Sequence, residues 1–272
     1  MSSVGKKLRL GRILRKDGRT FVIAMDHGVT MGAVSGLEDI RSTIQKVLAG
    51  EYRPDALLLS PAIIRLCHEE LARKTGLIAR LDGAATTIGP DITNYRMISS
   101  VEEALMCGAD AVTSMAFMGT LNESPNLERI GKISQECEKW GVPHIVEALP
   151  PEIVEHHFKP KAEWRWPSPE HVKFVDRVAA ELGGDIIKSY YTGDKDTFKE
   201  VVRCCPAPVI VLSGPGAGDP KGLLKIVQDS VEAGAKGVIM GRNVFGHKNP
   251  AAMVKAISKM VHEDESIERA LK

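Results

Sequence analysis

The sequence predicts an α/β fold built as a single (β/α)8 TIM barrel, and three observations lead to this prediction. Eight short, almost continuously apolar segments are separated by stretches with helical spacing of apolar residues. The starts of these segments recur every ~25 to 35 residues, without a linker or a change in composition between them. The 272 residues also suit one barrel of ~250 residues, so we expect one domain over residues 1–272. A doubly wound open sheet is the alternative.

The eight apolar segments are the predicted strands. Segments of this kind are typical of strands covered on both faces, because a parallel sheet wrapped by helices exposes neither face to water. The predicted bounds are Phe21–Asp26, Ala56–Ser60, Leu77–Leu81, Ala111–Ala116, His144–Ala148, Asp185–Ser189, Val209–Ser213 and Gly237–Gly241.

The stretches between the strands carry helix signals. Apolar residues recur at helical spacing, for example at Ile130 and Ile133. Ser100 predicts the start of one helix, and Gly141 predicts the end of another, since glycine accepts a left-handed terminal conformation. The longest stretch without such a pattern is Pro150–Pro169, where we expect a loop that acts as a lid or an interface element.

Composition and charge exclude several classes of partner. The 36 Lys and Arg residues nearly balance the 35 Asp and Glu residues, so no overall field attracts nucleic acid. No uncharged apolar run reaches ~18 residues, which predicts no membrane partner and a cytoplasmic protein. The five cysteines lack a Cys-x-x-Cys pair and the eight histidines lack a ligand spacing, so we expect reduced thiols and no metal site.

Lys188 is the most informative single residue. It interrupts the apolar run of the sixth predicted strand, where a side chain should be enclosed. Burial disfavours an ammonium and is expected to lower the pKa of this lysine, and a neutral amine attacks carbonyl groups to form a Schiff base. The alternative is a lysine that reaches water or pairs with Asp26 or Glu147.

Asp26 and His27 stand at the end of the first predicted strand. Reactive groups of such barrels lie at the C-terminal ends of strands, because the loops that follow build the site there. A carboxylate and an imidazole at this position indicate proton transfer or the orientation of substrate hydroxyls. A simple Asx-type turn at the end of the strand is the alternative.

Glycines dominate the ends of the seventh and eighth predicted strands. Glycine lets backbone N–H groups approach a phosphate, and many barrels bind a phosphate between these two loops. Arg242 would add a charged contact. The predicted phosphate-binding residues are therefore Ser213, Gly214, Gly241 and Arg242, with plain turns as the alternative explanation for the glycines.

Four motifs in this order resemble the archaeal-type class I fructose-bisphosphate aldolase family. They are Met25–Gly28, Asp185–Asp194, the Cys-Pro-Ala-Pro-Val-Ile-Val segment before Ser213, and Met240–Phe245. The likeness runs from about Leu10 to the C-terminus. Relatives of this family include an aminodideoxyheptulosonate synthase, which works by transaldol transfer, and a thiolase that acts on a phosphorylated autoinducer.

The resemblance implies roles for the candidate residues. It implies a Schiff-base lysine at Lys188, an acidic group at Asp26, and phosphate binding at Ser213, Gly214, Gly241 and Arg242. It further implies a phosphorylated sugar or ketone as substrate, with no metal and no other cofactor. Family members are typically homo-oligomers, so we expect a homo-oligomer here, for example a ring such as a decamer.

This sequence departs from the family in the fifth strand. The family usually carries a Tyr-Pro-Arg-Gly type of motif, whose tyrosine donates or accepts a proton, and here Leu149 stands at the tyrosine position. Side chains alternate along a strand, so Glu147 should face the same side and is the preferred substitute. Tyr190 on the sixth strand is the second candidate. His156 or His157 could also reach in from the loop.

A second departure lies in the loop after the seventh strand. The family often has Gly-Gly-Pro-Lys where this chain has Ser213–Gly216, and the loss of that lysine weakens the case for a bisphosphate. The sequence predicts a lyase that cleaves or forms a C–C bond in a phosphorylated ketose such as fructose 1,6-bisphosphate. The alternatives are a transfer enzyme of the transaldolase or thiolase type and a barrel that binds a phosphorylated ligand without catalysis.

Overall fold

The computed structural model describes residues 3–72, 74–158, 164–212, 214 and 219–271, apart from the side chains of residues 156–158. Eight parallel strands close into a barrel in sequence order, each paired with the next and the last paired with the first. This arrangement confirms the predicted α/β class and (β/α)8 barrel, and the open-sheet alternative is wrong.

All eight predicted strands are present, with ends that differ by at most two residues. In chain order they are β1 Thr20–Ala24, β2 Ala56–Leu59, β3 Gly76–Arg80, β4 Ala111–Phe117, β5 His144–Leu149, β6 Ile186–Tyr190, β7 Val209–Leu212 and β8 Gly237–Met240. After β3 the chain forms a short antiparallel pair that the apolar pattern did not predict. Its two strands are Asp82–Gly83 and Arg96–Met97.

Helices connect the strands and cover the outside of the barrel. In the described part of the chain they are α1 Val4–Ile13, α2 Gly28–Met31, α3 Ile40–Leu48, α4 Pro61–Leu66, α5 His68–Leu71, α6 Val101–Met106, α7 Glu123–Trp140, α8 Pro151–Phe158, α9 Pro169–Glu181, α10 Lys195–Cys204, α11 Pro220–Glu232, α12 Arg242–Phe245, α13 Pro250–His262 and α14 Ile267–Ala270. Ser100 caps α6 through its side chain, and Gly141 ends α7 in a left-handed conformation. Both helix signals in the sequence are therefore confirmed.

The stretch Pro150–Pro169 is not one long loop. Residues 151–158 form α8, so the prediction of an irregular stretch is wrong for its first half. Pro151 suits the first turn of this helix, because the amide hydrogen that proline lacks has no partner there. Residues 159–163 lie outside the described residues, and residues 164–168 run without regular structure to the start of α9.

Two tryptophans near the end of the stretch Pro150–Pro169 pack against glycines that follow barrel strands. A Cβ atom added to Gly193, which follows β6, would lie 2.4 Å from a ring carbon of Trp166. A Cβ added to Gly214, which follows β7, would lie 2.8 Å from a ring carbon of Trp164. Such distances are shorter than any carbon–carbon contact allows, so both indoles rest where only glycine leaves room.

The strands are buried on both faces, which explains their continuous apolar sequences. In β1, Phe21 and Ile23 pack outward with helix residues such as Val254 of α13. Val22 and Ala24 belong instead to the cluster that includes residues inside the barrel. Each of these side chains is almost completely removed from water.

All five cysteines are free thiols. Among the helices of the described segments, none combines the length and the apolar character needed to cross a membrane.

Candidate active site

A cavity of about 250 Å³ opens at the C-terminal ends of the barrel strands. Strands β4, β5 and β6 each direct two alternate residues into it, as expected for a closed parallel barrel. Its wall contains every described residue that the sequence singled out for chemistry, namely Asp26, His27, Glu147, Lys188, Tyr190, Gly214, Gly241 and Arg242. Ser213 lies outside the described residues. The candidate residues, which are scattered over 217 positions of the sequence, thus surround one space.

Lys188 and Glu147 form a buried pair in this cavity. They are direct neighbours in the register of β5 and β6, and Lys188 Nζ lies 2.7 Å from Glu147 Oε2. Their side chains are only 7% and 5% exposed. The sequence left two possibilities for the lysine, an enclosed amine or a paired one, and the structure combines them. Glu147 can therefore accept a proton directly from the lysine.

Asp26 follows β1 and is held by Arg80. Arg80 Nη1 donates a hydrogen bond to Asp26 Oδ2 at 2.8 Å. Burial raises the pKa of the Asp26 carboxyl, but the charges of Arg80 and Lys188 outweigh burial and place its pKa below the ordinary value. Asp26 is therefore a carboxylate at neutral pH and can accept a hydrogen bond or a proton from a bound hydroxyl.

Arg80 belongs to a buried network that links both carboxylates of the cavity. Its Nε lies 2.7 Å from Asp82 Oδ1, and its Nη1 lies 3.9 Å from Glu147 Oε2. Arg129 of α7 also belongs to the network, because its Nη2 lies 3.1 Å from Asp82 Oδ2. Asp26 and Lys188 extend it, so three acidic and three basic side chains pair inside the molecule, each less than 10% exposed.

Two charged residues of this network, Arg80 and Asp82, could have been recognised from the sequence. Arg80 lies inside the predicted strand Leu77–Leu81 and interrupts its apolar run, just as Lys188 does in β6. Asp82 follows two residues later and hence faces the same side. A polar pair at that spacing indicates a second buried charged group at the end of β3.

His27 packs tightly at the mouth of the cavity. A Cβ added to Gly241 would lie 2.7 Å from His27 Cε1, and the imidazole meets the Phe245 ring edge to face at 5.5 Å between centroids. Burial and the charges of Lys188 and Arg242 lower the pKa of His27, although Asp26 opposes them. A neutral imidazole follows, with one nitrogen that can donate a proton and one that can accept it.

The residues predicted to bind phosphate lie together on the β7 and β8 side of the cavity. Gly214 has φ +64°, in the left-handed region that glycine adopts without strain. Gly241 directly follows β8, and Arg242 begins α12 beside it. This side of the cavity brings glycine backbone and a guanidinium together, and both kinds of group can donate hydrogen bonds to a phosphate.

The structure also places the residues considered as substitutes for the missing tyrosine. Leu149 lines the cavity on the same side of β5 as Glu147, as alternation predicted. Tyr190 lines it as well, and burial raises the pKa of its phenol well above the ordinary value. The side chains of His156 and His157 lie outside the described residues. A second phenol, Tyr95, lines the cavity and was not among the predicted residues.

Among the side chains that the structure describes, no three His, Cys, Asp or Glu groups come together as metal ligands would.

A closed parallel barrel with a lysine and a carboxylate paired at the C-terminal ends of its strands has the groups that an aldolase of the Schiff-base type needs. Comparison with known proteins agrees, because residues 20–247 match the family described as DeoC/LacD family aldolase. The chain belongs to this family. It is therefore an enzyme of the lyase class, and the family assignment favours catalysis over a barrel that only binds a ligand.

Named relatives cover the chain almost completely. It is 37% identical over 273 residues to the 2-amino-3,7-dideoxy-D-threo-hept-6-ulosonate synthase of Halobacterium salinarum. The match covers 100% of this chain and 97% of the synthase. Its fold is similar to a crystal structure of an archaeal fructose 1,6-bisphosphate aldolase, with a TM-score of 0.79, 26% identity, and coverage of 95% and 99% of the two chains. A second structure shows an archaeal fructose-1,6-bisphosphate aldolase with its catalytic lysine covalently bound to the carbinolamine intermediate of the substrate. That structure has a TM-score of 0.77 and 26% identity, and the match covers 94% of this chain and 99% of the other.

Proposed function

We propose that the protein is a class I aldolase that cleaves or forms a C–C bond in a phosphorylated ketose through a Schiff base on Lys188. The observation that carries this proposal is the buried pair of Lys188 and Glu147, 2.7 Å apart at the wall of the cavity. The similarity to an aldolase whose catalytic lysine is bound to a carbinolamine supports the covalent route.

Glu147 handles the protons of the lysine amine. The amine must lose a proton before it attacks the ketone carbonyl, and Glu147 Oε2 is in hydrogen-bond contact with the nitrogen that carries it. The same carboxyl then protonates the hydroxyl of the carbinolamine, which leaves as water and yields the iminium. The iminium accepts the electron pair of the adjacent C–C bond when that bond breaks.

Asp26 and His27 act on the hydroxyl groups of the substrate. Asp26 stays ionised because Arg80 holds its pKa down, so it can take the proton of the hydroxyl on the carbon that departs as an aldehyde. His27 is neutral and lies beside Gly241, where it can hydrogen-bond a neighbouring hydroxyl. Their positions at the end of β1 suit orientation as well as proton transfer.

The phosphate of the substrate binds at the ends of β7 and β8. Gly214, Gly241 and Arg242 line that side of the cavity, and Ser213 is expected to contribute from the same loop. Arg242 supplies the positive charge. The Ser213–Gly216 loop lacks the lysine that the family often has there, so we expect this site to bind a single phosphate group.

Borohydride trapping tests the proposal. We expect incubation with fructose 1,6-bisphosphate or dihydroxyacetone phosphate, followed by sodium borohydride, to attach one reduced ketose to Lys188, located by peptide mass spectrometry. Lys188→Met should give no adduct, while Lys199→Met, which removes an exposed lysine of α10, should give the wild-type yield. A protein that consumes the ketose phosphate without any adduct at Lys188 would contradict the mechanism.

A transaldolase-type transfer is the second candidate function. The 37% identity to an aminodideoxyheptulosonate synthase favours it, because transfer uses the same iminium and enamine but delivers the enamine to a different acceptor. Product analysis separates the two functions. Free aldehyde released from the ketose phosphate alone indicates an aldolase, whereas turnover that requires an added aspartate-derived aldehyde or coenzyme A indicates transfer.

A further inference from the structure

The cavity contains a phenol that the sequence did not point to, that of Tyr95. Tyr95 lies just before Arg96 in the short antiparallel pair that follows β3, and it is 2% exposed. Its hydroxyl lies 2.7 Å from Thr30 Oγ1 of α2, and both residues line the cavity. A buried hydroxyl pair at the wall of a reactive site is equipped to hold and move a proton.

Tyr95 approaches the cavity next to the position where strand five lacks a hydroxyl. Its ring meets Phe117, the last residue of β4, edge to face at 4.8 Å between centroids. Phe117 is the direct partner of Leu149 in the register of β4 and β5. The phenol of Tyr95 therefore enters from the connection after β3 to the part of the wall that Leu149 leaves apolar.

The backbone around Tyr95 is fixed by buried hydrogen bonds. Arg129 Nη1 donates to the Tyr95 carbonyl oxygen at 2.9 Å, and Asn126 Nδ2 donates to the Thr93 carbonyl oxygen at 2.9 Å. Arg80 also lies 5.5 Å from the centre of the Tyr95 ring. Arg80 and Arg129 belong to the charged network of the site, so the same side chains position Tyr95 and the catalytic carboxylates.

The surroundings keep the phenol protonated at rest and favour its anion once formed. Burial raises the pKa of Tyr95, while the positive charge of Arg80 and the hydrogen bond with Thr30 oppose burial in part. Tyr95 thus carries its proton at neutral pH and has a cation beside it. These are the properties of a group that donates a proton and later recovers it.

We propose that Tyr95 is a catalytic residue that protonates the enamine carbon, an inference that rests on the proposed Schiff-base function. When the C–C bond breaks, its electron pair enters the iminium, and the hydroxyl proton of the departing aldehyde passes to a carboxylate. The enamine carbon then takes the proton of the Tyr95 hydroxyl: a C–H bond forms, the O–H bond breaks, and the nitrogen becomes an iminium again. The phenolate recovers the proton that the carboxylate accepted, so protons and charge balance over the cycle.

Hydrogen exchange of dihydroxyacetone phosphate in D2O isolates this step. The wild-type protein should form the borohydride-trapped adduct on Lys188 and should also exchange a hydrogen on the carbon beside the carbonyl, followed by proton NMR. Tyr95→Phe keeps the packing of the ring but removes the hydroxyl, so we expect the adduct to persist while exchange slows by about 10²- to 10⁴-fold.

Tyr191→Phe is the matched control. It removes an equally buried phenol, whose hydroxyl bonds Asp229 outside the cavity, and it should leave the exchange rate unchanged. Adduct formation by Tyr95→Phe shows at the same time that this variant is folded.

The outcomes separate the inference from the proposed function. A wild-type protein that forms no adduct overturns the proposed function and the inference together. If Tyr95→Phe forms the adduct and exchanges at the wild-type rate, or if only Tyr190→Phe abolishes exchange, Tyr95 is not the donor although the aldolase proposal stands. Loss of the adduct itself in folded Tyr95→Phe would place the phenol in imine formation and would also overturn the inference.

Discussion

Lys188 and Arg80 are two basic side chains inside a barrel whose strands are otherwise apolar. Lys188 was predictable because it interrupts a run of apolar residues in a strand that must be enclosed on both sides. Arg80 interrupts its strand in the same way. Two of its partners could not be predicted, since Asp26 and Glu147 come from elements 54 and 67 residues away in sequence. The residue type is visible in the sequence, whereas the pairing depends on the fold.

Asp176 is a buried carboxyl that the proposed chemistry does not use. It lies on α9 beside Ser189 and has no exposure to solvent. Burial raises its pKa to about 8. Because the pKa of the folded state exceeds that of the unfolded chain, its stabilising effect is complete at low pH and is lost as the pH rises toward 8.

We therefore expect Asp176→Asn to change how stability depends on pH. The asparagine does not ionise, so the free energy of unfolding of the variant minus that of the wild type should grow by about 1.4 kcal/mol per pH unit between pH 5 and 7. Urea unfolding at several pH values measures this difference. Asp196→Asn, at an exposed carboxyl of α10, is the control. A difference for Asp176→Asn that does not change with pH would show that the folded carboxyl titrates normally.

The elements that the sequence predicted best are those whose signals are local. Every barrel strand was identified from its own apolar run, and Ser100 and Gly141 bound α6 and α7 as their chemistry predicts. Helix α8 was missed because only Ile153 and Val154 are buried among its described side chains, too few to form an apolar stripe. The strand pair Asp82–Gly83 with Arg96–Met97 was missed because two residues per strand carry no period.

Two glycines at different places in these elements should respond oppositely to substitution by alanine. Gly237 begins β8 with φ +129°, and a Cβ there would lie 1.8 Å from the Thr20 carbonyl oxygen of β1, where the barrel closes. Gly237→Ala should lower the free energy of unfolding by about 2–5 kcal/mol. Gly131 lies inside α7 with no atom within 4 Å of an added Cβ, and Gly131→Ala should raise it by about 0.5–1 kcal/mol. Chemical denaturation compares the two variants, and equal effects would contradict the geometry.

At the scale of the whole molecule, the barrel was predictable because its unit repeats eight times. Each strand–helix repeat indicates the same architecture as the other repeats. Small errors in the predicted strand ends therefore do not change the predicted fold. The site follows from the fold as far as it consists of residues at strand ends. Tyr95 escaped prediction because it reaches the cavity from the middle of a connection, held there by Arg129 and Asn126 of a later helix.

We expect the protein to be a homo-oligomer in solution. The resemblance to ring-forming aldolases implies it, and large apolar side chains such as Val4 and Leu8 of α1 and Phe174 of α9 are exposed on the surface of one chain. Sedimentation velocity should give a mass that is a multiple of 29.6 kDa, for example that of a decamer. A species of 29.6 kDa at all concentrations would exclude this assembly.

The equal numbers of acidic and basic groups in the buried network bear on the energy of each intermediate. Lys188 contributes one of three positive charges that offset Asp26, Asp82 and Glu147. An ammonium and an iminium at this nitrogen carry the same charge, so the resting enzyme and the proposed covalent adduct are equally neutralised by their surroundings. The enamine nitrogen is neutral, but a carboxylate accepts the hydroxyl proton in the same step, so one positive and one negative charge disappear together. The interior of the barrel thus keeps the same net charge at each stage of the proposed reaction, so no intermediate leaves an unpaired charge in a medium of low polarity.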